Sequence, residues 1–216
     1  MRGRRDLPSL AVDARVAVLA SGSGSNLQAL LDDPVVGPWI VLVLSDRQHA
    51  PALERARARG VRAEFLDPAL SPDRASFGKA LAETLRREAI DHVVLAGFMR
   101  IVDAEVVRAY EGRMLNIHPS LLPAFPGRRA VADALSWGAR VSGVTIHLVD
   151  EQVDHGPIVL QEAVPVLEGD DEATLHGRIQ EAEHRLYPKA VRMMVEGRLQ
   201  IEGRQVRVMG EFEAAR

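Results

Sequence analysis

The feature that most constrains this chain is a repeated switch between continuous apolar runs and amphipathic helical segments. Val16-Ala17-Val18-Leu19-Ala20 and residues 39–44 are almost wholly apolar, residues 61–66 more weakly so, and residues 92–96 form a fourth run. A strand with one wet face alternates polar and apolar residues, whereas a strand that is apolar throughout is covered on both faces. Helical patterns occupy the intervals: residues 26–31, residues 51–59 with Gly60 as a stop, and residues 73–88 with Phe77, Ala80, Leu81, Thr84 and Leu85 on one stripe. Strand–helix alternation implies right-handed crossovers, and so an α/β fold with a mostly parallel twisted sheet and helices on both faces.

The second half changes character. Residues 141–149 and 158–166 predict two longer strands joined by a polar loop, an antiparallel addition to the sheet. A helix is expected from about residue 171, with Leu175, Ile179, Ala182 and Leu186 at helical spacing. Pro188 should kink or restart it, and Met193 and Met194 beyond it read as core filler. Residues 16–216 form one domain in this reading. Residues 1–15, with Arg2, Arg4, Arg5 and Arg15, are a basic tail expected to be flexible and lack the apolar core of a secretory signal.

Within that frame, Met114-Leu115-Asn116-Ile117-His118-Pro119 reads as a short strand stopped by proline. Side chains alternate across a strand, so Asn116 and His118 face one way and Leu115 and Ile117 the other. An amide donor beside an imidazole suits a developing oxyanion with proton transfer alongside it. A strand exit whose polar groups only satisfy a loop is the plainer alternative.

Ser21-Gly22-Ser23-Gly24-Ser25-Asn26 follows the first strand and opens a helix. Glycines let backbone approach an anion, and helix N-terminal N–H groups with Ser25 and Asn26 supply donors. Asp46, about 20 residues on, mimics the acid that binds a dinucleotide ribose, but Leu27 stands where that fingerprint needs its third glycine. A small phosphate is favoured over a dinucleotide, and a plain glycine-rich turn stays open. A third constellation places Thr145 and His147 on one strand face with Asp154 on the following loop. Asp154 could raise the proton affinity of a nearby imidazole. The His and Asp spacing matches no familiar metal-ligand pattern, so no metal is expected, and His147 alone reads as a satisfied structural histidine.

Composition narrows the class. The 216 residues carry a formal net charge of −3, without the basic excess usual for nucleic-acid binding. There is no cysteine, which removes disulfides and thiolate chemistry and is compatible with the cytoplasm. No apolar run approaches the roughly 18 residues of a membrane helix, so no membrane partner is expected.

The Ser-Gly-x-Gly-Ser-Asn turn, Ala96-Gly97-Phe98-Met99-Arg100-Ile101, Asn116-Ile117-His118-Pro119-Ser120-Leu121-Leu122-Pro123 and Asp154-His155-Gly156-Pro157 occur here in one order. Together they closely resemble the phosphoribosylglycinamide formyltransferases over about residues 15–200. The resemblance implies a Rossmann-like formyltransferase fold, 10-formyltetrahydrofolate as co-substrate, and a ribonucleotide amine as acceptor in purine biosynthesis. Position by position it implies Asn116, His118 and Asp154 as catalytic residues. It implies Gly24, Ser25, Asn26, Gln180, Glu181, Ala182 and Glu183 as ribonucleotide contacts. Folate contacts would be Arg74, Met99, Arg100, Ile101, Val102, Asp150, Glu151, Gln152, Val153 and Asp154. His118, kept protonated by Asp154, would assist proton transfer to the departing folate nitrogen. The family commonly carries one or two histidines after Phe125-Pro126-Gly127, whereas this chain has Arg128-Arg129-Ala130-Val131. His155 falls at a variable position.

Three alternatives stand, two of them enzymes that share this core and one a module of a different class. A methionyl-tRNA formyltransferase normally has a further C-terminal domain, for which too few residues follow Gln200. A formyltetrahydrofolate hydrolase normally has an N-terminal regulatory domain that residues 1–15 cannot supply. A non-catalytic nucleotide-binding module would leave Asn116, His118 and Asp154 unexplained as a set. The expectation is a small-molecule enzyme, monomeric or homodimeric.

Overall fold

The computed structural model describes residues 13–71 and 73–209. The chain begins with β1 (Val16–Leu19), α1 (Ser25–Asp32), β2 (Ile40–Ser45), α2 (Pro51–Ala58) and β3 (Arg62–Phe65). It continues through α3 (Arg74–Arg87), β4 (His92–Leu95), α4 (Ala104–Ala109) and β5 (Met114–His118). Then come α5 (Ala130–Ser136), β6 (Val141–Leu148), β7 (Ile158–Pro165), α6 (Glu172–Val195) and the strands β8 (Leu199–Glu202) and β9 (Gln205–Val208). Seven strands form one sheet in the order β3-β2-β1-β4-β5-β6-β7, and β8 pairs with β9 in a separate antiparallel hairpin. The five strands β1 to β5 are parallel, and β6 and β7 join antiparallel, as the sequence predicts.

The sheet is covered on both faces. Val16, Val18, Val94, Leu115 and Ile117 pack with α1, α2 and α6, while Ala17, Leu19, Val93, Leu95 and Met114 pack with α3 and α4. This parity puts Met114, Asn116 and His118 on one face of β5 and leaves Leu115 and Ile117 in the opposite core. Because β2 and β4 flank β1, the strand order switches direction there, and the loops after β1, β4 and β5 leave at one carboxyl edge. A crevice at such a switch point is where ligands bind in open α/β sheets.

Two expectations need correction. Helix α6 runs unbroken through Pro188 rather than restarting. Tyr187 is fully buried, with its hydroxyl donating to the Leu95 carbonyl at 2.7 Å, and Ala190, Val191 and Met194 are buried beyond the proline. Packing on both sides offsets the roughly 3 kcal/mol that an interior proline costs. The folded unit also starts before residue 16: Ala14 is buried, and Arg15 donates its N–H to Asp91 Oδ2 at 2.9 Å. The rest of the expected basic tail, residues 1–12, lies outside the described residues. Helices α4 and α5 and the β8–β9 hairpin carry too short a pattern to stand out in the sequence.

Candidate active site

Helix α1 opens on a capping position rather than a capping side chain. Gly24 holds φ of 73° and gives no side-chain cap, so the N–H groups of the first turn stay free for a ligand. A Cβ built at Gly24 would lie 2.8 Å from Ala52 Cα, so only glycine fits between this turn and α2. Asn26, one residue into α1, donates its Nδ2–H to Glu183 Oε2 of α6 at 2.8 Å, leaving its own buried Oδ1 without a partner. Burial pushes the Glu183 carboxyl above the usual range, despite the hydrogen bond from Asn26. A buried acceptor without a donor is expensive, so Asn26 Oδ1 is ready for a ligand N–H or O–H.

A cavity of about 420 Å³ runs from this turn along the sheet edge. It is lined at one end by Gly24, Ser25, Asn26, Gln180 and Glu183, and at the other by Met99, Arg100, Ile101, Val102 and the segment from Asp150 to Asp154. Asn116 and His118 line its middle. Of the site residues that the resemblance implies, three do not line it. Glu181 is exposed on α6, and Ala182 is buried in the core on the other side of that helix. Arg74 stands outside the cavity and donates to the Val102 carbonyl, bracing the lining from behind.

The central group owes its geometry to a loop that doubles back. β6 is antiparallel to β5, so it ends beside the start of β5, where Val149 N–H donates to the Met114 carbonyl at 3.0 Å. The chain then folds back over the sheet until Asp154 reaches the far end of β5. Asp154 has φ of 52°, a left-handed conformation that aspartate tolerates better than most residues. Its Oδ2 accepts the Gly127 N–H at 2.7 Å and lies 3.4 Å from His118 Nδ1. His118 Nε2–H donates to the Phe125 carbonyl at 2.8 Å. Both ring nitrogens therefore face acceptors, the arrangement an imidazolium satisfies, and Nδ1 at 3.4 Å is the looser of the two.

His147 is more than a satisfied core histidine. Burial lowers its pKa below the ordinary histidine value, so the ring is neutral at pH 7. Its Nδ1–H donates to the Leu148 carbonyl at 2.8 Å, which leaves a lone pair on Nε2 for the Asn116 Nδ2–H at 3.1 Å. That contact fixes which way the Asn116 amide points. The second Nδ2–H faces Asp154 Oδ1 at 3.4 Å, too far for a strong bond, so it is available to a substrate oxygen. Thr145, on the same face, is structural: its hydroxyl donates to the Ser120 carbonyl at 2.6 Å and accepts the Leu122 N–H at 3.0 Å, shaping the loop after β5.

Asp46 does not face a ligand as a ribose-binding acid would. Its carboxylate accepts the hydroxyl of buried Ser21, and the same hydroxyl oxygen accepts the Met99 N–H at 2.9 Å. Ser21 thus ties the root of the glycine-rich turn to the segment after β4. His176 and Arg128 also line the cavity without standing out in the sequence as ligand contacts, and His147, read there as a structural histidine, lines it too. Among the described residues, no group of three or more His, Asp or Glu is placed to hold a metal ion.

The comparisons with known proteins agree with this geometry. A family model described as formyl transferase matches residues 14–191. The phosphoribosylglycinamide formyltransferase of Mycobacterium tuberculosis (strain ATCC 25618 / H37Rv) is 45% identical over 204 residues, which cover 90% of this chain and 94% of that protein. The crystal structure of glycinamide ribonucleotide transformylase 1 from Symbiobacterium toebii superposes with a TM-score of 0.90 at 50% identity, covering 96% of this chain and 99% of that one. The trifunctional purine biosynthetic protein adenosine-3 of Homo sapiens is 45% identical over 191 residues, but this chain spans only 19% of its length. The switch-point cavity, the trio at the end of β5 and these matches together place the chain in the formyl transferase family.

Proposed function

We propose that this enzyme transfers the formyl group of 10-formyltetrahydrofolate to the primary amine of 5′-phosphoribosylglycinamide, a step of purine biosynthesis. The observation that carries this reading is one cavity with two unlike ends and the Asn116–His118–Asp154 group between them. The end at Gly24–Asn26 offers free backbone N–H groups at a positive helix terminus, which suits a phosphate. Buried Glu183 and the unpartnered Asn26 Oδ1 beside it suit sugar hydroxyls. At the other end Met99, Ile101 and Val153 are 40%, 55% and 55% exposed, an apolar rim that a flat ring system would cover.

The co-substrate supplies an electrophilic formyl carbon bound to nitrogen. Asn116 donates its free Nδ2–H to the formyl oxygen as negative charge develops there. His118 holds a proton for the departing nitrogen, exchanging one of its two present acceptors for substrate. Asp154, fixed by the Gly127 N–H, faces His118 and accepts or relays the proton lost by the attacking amine. His147 sets the Asn116 amide and touches neither reacting atom. No covalent bond to the protein is required.

Small molecules are the substrates in this reading, and no helix among the described residues is long and apolar enough to cross a membrane. We place the enzyme in the cytoplasm, as a monomer or homodimer. The test is formyl transfer by the purified protein with and without glycinamide ribonucleotide. Product formation that depends on the acceptor supports the proposal, and formate release without it would reassign the enzyme as a hydrolase.

A further inference from the structure

We propose that Asp46 is a positioning residue for formyl transfer: through the Ser21 hydroxyl it sets how close the donor segment stands to the acceptor end. The inference rests on the function reading given above. Asp46 follows β2 and does not line the cavity, so it acts through another group. Its Oδ1 accepts the Ser21 hydroxyl at 2.5 Å, and the same Ser21 oxygen accepts the Met99 N–H at 2.9 Å. Ser21 is buried, and its own N–H donates to the Gly97 carbonyl at 3.0 Å. Ser21 thus holds the segment after β4 at two points, shortly before Gly24 opens the acceptor end.

The carboxylate matters because a hydroxyl rotates. Ser21 Oγ carries one hydrogen and two lone pairs, and the direction of the hydrogen decides where the lone pairs point. With the hydrogen on Asp46, a lone pair is left facing the Met99 N–H. Without an acceptor at position 46 the buried hydroxyl loses its fixed direction, and its hold on Met99 loosens. Asp46 is itself held by the turn after β2, where Ser45 Oγ accepts the Arg47 N–H at 3.1 Å and the Ser45 carbonyl accepts the Leu66 N–H at 2.9 Å. Strands β1 and β4 pair as far as Leu19 and Leu95, and the two cavity ends lie on the separate loops beyond that pair. In the reaction, the amine is held by the loop after β1 and the formyl donor by the segment after β4. The Asp46–Ser21–Met99 chain joins those loops at their roots and so fixes the spacing across which the two must meet. That spacing is demanding, since reacting atoms have to approach to roughly 3–3.5 Å before chemistry starts.

The test compares two variants of the whole protein. Asp46→Asn keeps a carbonyl oxygen for the Ser21 hydroxyl, whereas Asp46→Leu removes the acceptor and leaves Ser21 its oxygen. Asp46→Leu should lower kcat roughly tenfold, as expected for a misplacement well under 1 Å. The Kd of glycinamide ribonucleotide and of a non-reactive folate analogue, each titrated alone, should change by less than about threefold, because neither ligand touches Asp46. Asp46→Asn should restore most of the turnover. Hydrogen exchange of the Met99 amide, read by NMR without ligands, should quicken in Asp46→Leu and stay as in the wild type in Asp46→Asn. A loss of folate affinity as large as the loss of kcat would make the chain a brace for folate alone. A lower Tm with kcat and Met99 exchange unchanged would make Asp46 purely structural. Equal damage in the two variants would deny the hydroxyl's direction any role. Each of these overturns the proposal. Absence of acceptor-dependent transfer in the wild type would overturn the function reading instead, and Met99 exchange is read without either substrate.

Discussion

The two ends of the cavity are built by different means. The Gly24–Asn26 end is secondary structure: a helix terminus, a glycine that admits no side chain, and an Asn26–Glu183 bond to a second helix. The Met99–Val102 and Asp150–Asp154 end is loop, held by side chains from distant parts of the chain. Arg74 and Arg128 brace the first loop through its carbonyls. Arg108 pairs with Glu151, and Arg204 of the β8–β9 turn donates to the His155 carbonyl at 2.7 Å. His155, at a variable position in the sequence pattern, is thereby part of a strap. The first end is set once the chain folds, whereas the second can be retuned by exchanging exposed arginines. Specificity that differs between relatives should therefore collect at the loop end.

The largest expected effect falls on neither end but on the group between them. Asn116→Ala should cut turnover by about 10²–10³-fold, the loss expected for one oxyanion donor. Asp154→Asn should be at least as damaging, because His118 loses its charged partner. Steady-state rates on folded protein read this, and near-wild-type turnover in Asp154→Asn would remove the trio from the account.

A smaller effect separates the ends at a residue that joins them. Ser21 belongs by sequence to the glycine-rich turn, yet its hydroxyl holds the Met99 N–H. Removing a buried partner costs about 1–3 kcal/mol, part of it felt as general stability. Ser21→Ala should weaken a folate analogue by several-fold and the ribonucleotide by less. The reverse order would show that the hydroxyl serves the turn in which it lies.

The smallest effect is a pH dependence at the helical end. Glu183 is raised by burial, so the folded state binds its proton more tightly than the unfolded chain does. Its stabilising contribution is then complete below the ordinary glutamate range and is lost as pH rises through the raised folded value. Glu183→Gln lacks this titration. The difference in Tm between wild type and variant should therefore shift against the wild type as pH rises from roughly 4 to 7. A constant difference would contradict a perturbed Glu183.

The same contrast explains what could be read from the sequence. The parallel sheet was legible because the strands at its centre, β1, β2 and most of β4, are continuous apolar runs, and Asn116 and His118 because a strand has period two. The helical end was legible because Gly24, Ser25 and Asn26 are adjacent. The straps were not, since Arg128 and Met99 are 29 residues apart and an exposed arginine carries no pattern. Nor was the role of His147, which depends on the Leu148 carbonyl fixing its tautomer. Pro188 misled for a related reason: a local rule was outweighed by the packing of Tyr187 and Met194, which the local sequence does not reveal.

The central claim is that one cavity holds two different ligands at separate ends. It is tested most directly by crossed titration of Gly24→Val and Ile101→Glu with glycinamide ribonucleotide and with a folate analogue. Valine at position 24 meets Ala52 and must displace the turn, so this variant should lose ribonucleotide binding and keep most of its affinity for the folate analogue. A charge at Ile101 should do the opposite, because it wets the apolar rim. Loss of the folate analogue in the first variant and of the ribonucleotide in the second, with both proteins folded by circular dichroism, would contradict the assignment of the two ends.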